Sequence, residues 1–161
     1  MINEFATWLA STRANDVVQN TSWIIPVVQS VHILCIAIVV TSVAMLDLRL
    51  LGIAGRRQSL ADTGRRFLPW IWCALVLLAL TGSVLIIGEP ARELQSDIFW
   101  LKMTLVACAI ALTAVFNVVL NQGATFWERN RVIAVLTGVV SLGLWLSILA
   151  AGRWIAYGAH G

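Results

Sequence analysis

The sequence predicts an all-α polytopic membrane protein, a four-transmembrane-helix bundle with a short N-terminal interfacial helix. Three observations predict it. Of 161 residues, 60% are hydrophobic and only 12% charged, where an ordinary globular domain carries about 25% charged residues; the mean hydropathy is +0.87. The charges leave four intervals empty, 17–46, 67–88, 103–127 and 132–152, each long enough for the ~20 apolar residues that cross a ~30 Å hydrocarbon core. Within those intervals the alternation of an outer-membrane barrel strand is absent, so the backbone must satisfy its polar groups as helix. Together these exclude a soluble enzyme, a disordered chain and a disulfide scaffold, and they make residues 1–161 one transmembrane domain.

Each element has its own warrant. Residues 3–10 form a short helix lying on the membrane surface, with Phe5 and Trp8 as anchors; the start Met1-Ile2-Asn3-Glu4 lacks the basic region of a cleavable signal. The spans cover about 23–51, 67–88, 99–121 and 132–157. Residues 55–64, rich in small and polar side chains, are the hinge candidate.

Charge placement orients the bundle. The first-to-second and third-to-fourth links and their flanks carry Arg49, Arg56, Arg57, Arg65, Arg66, Arg129 and Arg131, against Arg13, Arg92, Lys102 and Arg153 on the opposite side. This seven-to-four split places the Arg-rich links in the cytoplasm and both termini in the periplasm of a bacterial inner membrane. Trp23, Trp100 and Trp154 at one interface, and Trp70, Trp72 and Trp127 at the other, read as two aromatic belts, with Trp145 left mid-span. The net charge of +3 does not indicate nucleic acid, because no basic stripe with interleaved aromatics is present.

Ionisable groups inside a span are costly and mark candidate sites. His32 lies nine residues after Trp23, about 13 Å along the helix axis. Gln29, His32, Ile36, Val39, Val43 and Asp47 recur at helical spacing and form a stripe expected to face the bundle. Lys102, Val106, Ala109, Thr113 and, slightly offset, Asn117 form the corresponding stripe of the third span. Lys102 and Arg153 either snorkel to the surface or sit above His32. Asp47 and Arg49, two residues apart, point to opposite sides of the helix, and one of them is expected to reach a charge on another helix as a clamp. Gly143, Ser147 and Ala151, with Ala107, Ala111 and Ala114, offer small faces for close helix approach, within the chain or in a homo-oligomer.

One buried histidine admits three readings. The first is haem b, with His32 on the iron and Lys102 or Arg153 neutralising the propionates. The second axial ligand would then come from Met103, Met45, Lys102, another protomer, or nothing, because the other histidine, His160, lies beside the C-terminus. The second is a copper or zinc site of His32 with Cys35 and Cys108. The third is a structural imidazole bonded to a backbone carbonyl or to Asn117. The three cysteines, at 35, 73 and 108, give no disulfide framework. No hydrolase constellation or phosphate loop is present.

Ser30-Val31-His32-Ile33-Leu34, Asp47-Leu48-Arg49-Leu50-Leu51-Gly52, Arg65-Arg66-Phe67-Leu68-Pro69-Trp70, Thr81-Gly82 and Gly152-Arg153-Trp154-Ile155-Ala156-Tyr157 resemble an uncharacterised family of small four-helix bacterial membrane proteins across nearly the whole chain. More distantly, the layout is similar to HemJ-type protoporphyrinogen oxidases and to the CopD copper-resistance membrane domain. The HemJ-type likeness implies that His32 and Lys102 are a functional pair associated with haem b; the CopD likeness implies copper handling. The sequence thus leads to a haem-linked redox or electron-transfer protein, to a non-enzymatic subunit that associates with itself or with a membrane or periplasmic partner, or to a copper-handling protein.

Overall fold

Each apolar run carries one long helix. A computed structural model describes residues 2–55, 57–123 and 125–157, and among them it contains eight helices and no strand. Four of these are long and apolar enough to span a membrane: α3 (Ile24–Leu51), α4 (Leu60–Gly88), α6 (Asp97–Gln122) and α8 (Arg131–Tyr157). Short helices α1 (Ile2–Ala10), α2 (Arg13–Asn20), α5 (Pro90–Leu94) and α7 (Thr125–Arg129) fill the connections. The expected second span at 67–88 begins earlier because Ser59 caps α4, its Oγ accepting from Asp62 N at 3.0 Å.

The four long helices run up and down in a ring, α3 beside α4 and α8, and α6 beside α8 and more thinly beside α4. Both segment termini therefore lie at one end of the bundle, here the termini end, and both Arg-bearing links at the other, the Arg-rich end. The outward surface is apolar along its length, with Val76, Leu80, Val115, Leu136 and Leu146 all more than half exposed. In a bilayer that surface meets lipid rather than water.

The N-terminal segment holds more structure than the single interfacial helix expected. Thr12 caps a second helix, α2. From α2, the amides of Asn15 and Gln19 donate to the last carbonyls of α4, Asn15 Nδ2 reaching Ile87 O at 2.7 Å. These bonds satisfy acceptors that a helix end otherwise leaves open. Helix α1 buries Ala6 with Leu94 and Phe99 and turns Phe5 and Trp8, stacked at 5.7 Å, outward. That geometry suits the interfacial anchoring read from the sequence.

At the Arg-rich end, α3 stops at Gly52, whose φ of 72° places it in the left-handed region. With no side chain in the way, the Arg131 guanidinium packs on Gly52 and donates to Leu50 O and Leu51 O, each at 2.6 Å. This is the clamp at that end, and it differs from the expected one. Arg49 bonds Gln58 O, whereas Asp47 is buried at 4% exposure with Oδ2 lacking a hydrogen-bond partner among the described residues.

The close approach of α8 to α3 is also not made where expected. A Cβ on Gly138 would stand 3.3 Å from the Asp47 backbone carbonyl, so α3 and α8 cross there almost backbone to backbone. Around Gly143, by contrast, a Cβ would meet nothing within 4 Å. Gly143, Ser147, Ala107 and Ala111 are exposed, leaving Ala151 as the buried member of the α8 set and Ala109 as the buried alanine of α6. Close approach through Gly143 within the chain is therefore overturned: that face points away from the bundle. Two tryptophans are corrected or placed as well. Trp127 is buried against Phe116, ring centroids 5.2 Å apart, rather than lying in an interfacial belt, and mid-span Trp145 belongs to the core.

Candidate functional site

His32 is half-buried just over two turns into α3. Its Nδ1 lies 2.7 Å from Thr81 Oγ1 on α4, and Thr81 Oγ1 donates to Leu77 O at 2.7 Å. A hydroxyl has one proton. With that proton committed to Leu77, the oxygen accepts from His32 Nδ1–H, and the Nε2 lone pair is left uncommitted. Gly82 follows, and a Cβ there would stand 3.5 Å from His32 Cε1, so the imidazole edge lies flush on the α4 backbone.

The other two spans reach the same level. Lys102, half-buried on α6, is near enough for its charge to act on the His32 ring. A Cβ on Gly152 of α8 would sit 3.8 Å from Lys102 Cε and Nζ, so the lysine stem lies along that glycine. His32, Thr81 with Gly82, Lys102 and Gly152 thus bring all four long helices to one layer.

That layer contains few buried side chains. Towards the Arg-rich end the core begins with Cys35, Ala74, Ala109 and Ile148; towards the termini end Leu94 and Phe99 close over it. Between them, no described residue in 24–34 of α3, 75–87 of α4 or 100–108 of α6 is buried, and Ala151 alone is buried in 149–154 of α8. Protein interiors are ordinarily packed as densely as organic crystals. Here the four helices carry partly accessible side chains at the level of an imidazole whose Nδ1 is held by Thr81 and whose Nε2 has no hydrogen-bond partner among the described residues. Such a nitrogen can ligate a metal or accept a proton, and a lysine beside it attracts an anionic group.

The remaining expected residues are placed less centrally. Met103 is 36% exposed and, as the next residue on α6, points about 100° around the helix from Lys102. Arg153 is exposed at the end of α8. Cys35 is buried three residues beyond His32, while Cys108 is exposed; among the described residues no three His, Cys, Asp or Glu side chains gather into a metal-holding group. Met45 is exposed beside Phe67 at the Arg-rich end, about 20 Å along α3 from His32. His160 lies outside the described residues. Asn117 accepts from Asn121 at 3.2 Å rather than bonding His32, and Gln29 of the expected stripe is exposed. The residue that spacing did not supply as the imidazole's partner is Thr81. Its signal was a polar side chain followed by glycine inside an otherwise apolar span.

Residues 18–158 match the family model DUF6644, described as a family of unknown function. No curated protein and no solved structure matches the chain.

Proposed function

The chain belongs to that family of unknown function, and from the geometry of its own site we propose that it is a membrane-embedded haem b-binding protein with an electron-transfer or haem-linked redox role. One observation carries the reading: His32 Nδ1 lies 2.7 Å from Thr81 Oγ1 at a level where few side chains are buried, and Nε2 has no hydrogen-bond partner among the described residues. Metal-ligating histidines characteristically donate their second ring N–H to a fixed acceptor, which sets tautomer and orientation before the metal arrives. The residues present therefore fit the group.

Each side chain has a part in this reading. His32 would ligate the iron, with its ring oriented by Thr81. Lys102, and Arg153 nearer the helix end, neutralise carboxylates placed towards the termini end. Met103, one residue on from Lys102, would be the candidate for a second ligand. Gly82 and Gly152 keep two helix backbones bare where a flat ring would lie. Haem b bound there supplies one-electron redox chemistry. The distant HemJ-type resemblance of the sequence implies the same His32–Lys102 pairing. The Arg distribution supports insertion in a bacterial inner membrane with both termini periplasmic; a C-terminal alkaline phosphatase fusion is then active and a C-terminal green fluorescent protein fusion dark.

The test is a spectrum of the full chain purified in detergent from haem-replete cells. A Soret band with sharp reduced α and β bands, lost in His32→Ala, is the expected result, and the axial ligand field reports whether Met103 contributes. A folded, colourless protein refutes the reading. Metal analysis of the same sample addresses copper held by His32 with Cys35 and Cys108. A second reading rests on the open surface at Gly143: a subunit that associates with itself or a partner through small residues. There, Gly143→Leu removes cross-linked oligomers while the monomer stays folded.

A further inference from the structure

A second polar locus lies in the other half of the bundle. Asp47, four residues before the end of α3 and so about 6 Å in from it, is 4% exposed. Its Oδ2 is buried without a hydrogen-bond partner among the described residues. The carboxyl opens on a cavity of about 20 Å³ between the spans, which also takes Thr113 from α6 and Thr137 and Ser141 from α8. Thr113 and Ser141 are each 8% exposed. The Thr113 hydroxyl donates to Ala109 O at 2.8 Å, so it has only lone pairs left to offer a further partner. The rest of the lining is apolar, Ile71 from α4 and Phe116 from α6 among it, and it includes no second titratable or charged group. Of the cations at this end of α3, Arg131 is committed to the carbonyls of Leu50 and Leu51 and Arg49 donates to Gln58 O.

A bare carboxylate in such a place costs several kcal/mol, so its charge must be cancelled. The lining offers one carboxylate and three hydroxyl oxygens, with no nitrogen or sulfur. That donor set suits a hard ion, and a single negative charge matches a single positive one. The volume exceeds the ~10–15 Å³ that one water-sized occupant needs.

We propose that Asp47, Thr113, Thr137 and Ser141 form a binding site for one small monovalent cation, Na⁺, with H⁺ competing for the same carboxylate. The site is separate from the His32 layer: Asp47 is fifteen positions further along α3, about 22 Å along its axis. It stands whether or not that layer holds a cofactor.

The experiment is thermal unfolding of the full chain in detergent, titrated with NaCl at constant ionic strength against choline chloride, from pH 5.5 to 9. Expected is a Na⁺-specific rise in melting temperature at the alkaline end. As pH falls through the carboxyl's titration, half-saturating Na⁺ should rise about tenfold per pH unit, the slope of one proton displacing one ion. Asp47→Asn keeps the shape of the side chain and removes the charge; it should fold and lose the Na⁺ response. Ser141→Ala should retain the response with weakened affinity, about tenfold. An equal response to choline, a response surviving in Asp47→Asn, or none at any pH overturns the proposal and leaves a protonated structural aspartic acid.

Discussion

Thr81→Val is the sharpest perturbation of the His32 site. Valine keeps the β-branched shape and removes only the oxygen that accepts from His32 Nδ1 at 2.7 Å. The backbone loses nothing, because Leu77 O bonded by Thr81 still receives its helical N–H. Two consequences follow for the imidazole. Its Nδ1–H is left without a partner in a half-buried position, which costs about 1–3 kcal/mol. The ring is also free to turn or to exchange tautomers, so Nε2 no longer presents a fixed lone pair. Loss of such a supporting bond typically lowers metal affinity by about 10–100-fold, or roughly 1.4–2.8 kcal/mol. Apoprotein in detergent is titrated with haem b, and occupancy is read from the Soret band. Thr81→Val should shift the dissociation constant by that factor and broaden the reduced α band, and Thr81→Ser should restore both. If Thr81→Val binds as tightly as the parent with the same spectrum, or if serine fails as badly as valine, the hydroxyl is not what orients His32 and the reasoning fails.

Four further outcomes are expected. Gly138→Leu forces a side chain into the α3–α8 crossing, 3.3 Å from a backbone carbonyl that cannot move aside; it should cost about 1–3 kcal/mol or more. Gly143→Leu, into open space, should leave unfolding in SDS–detergent mixtures within about 0.5 kcal/mol of the parent. Arg131→Ala removes both donors to Leu50 O and Leu51 O and should lower stability by about 1.5–3 kcal/mol, one good bond to a charged group, because the guanidinium is partly solvated; the loss appears as fraying of the end of α3 in amide exchange. Lys102→Met keeps the stem along Gly152 and deletes the ammonium, so haem titration should show about tenfold weaker retention, one charged hydrogen bond of ~1.5 kcal/mol.

What the sequence could disclose divides along the axis of the helices and across it. Along the axis, a charged residue inside hydrocarbon is so costly that charge-free runs mark the spans whatever packs against them. The four long helices accordingly lie where the runs do, shifted only where a cap such as Ser59 extends one. Across the axis the same reasoning fails. In water, the apolar stripe of a helix names its buried face; in lipid, the outward face is equally apolar, and close approach depends on local shape instead. Gln29 and Ile36 were therefore assigned to a buried stripe that in fact runs through Cys35, Val39, Val43 and Asp47. Gly143 and Gly138 both sit in small-residue surroundings, yet one opens on space and the other crosses a neighbouring backbone. Ionisable residues within the spans escape this ambiguity, since lipid rejects charge on either side, and His32, Lys102 and Asp47 all turn inward to some degree, whereas uncharged Gln29 and Ser147 are exposed. Their partners stay hidden in the sequence for a different reason. Thr81 meets His32 across 49 positions, and Ser141 shares the Asp47 cavity from another helix, so each pairing is set by the rotation and depth of two helices. In a bilayer, then, the polar minority identifies where a site is, and only the packing of the apolar majority identifies what completes it.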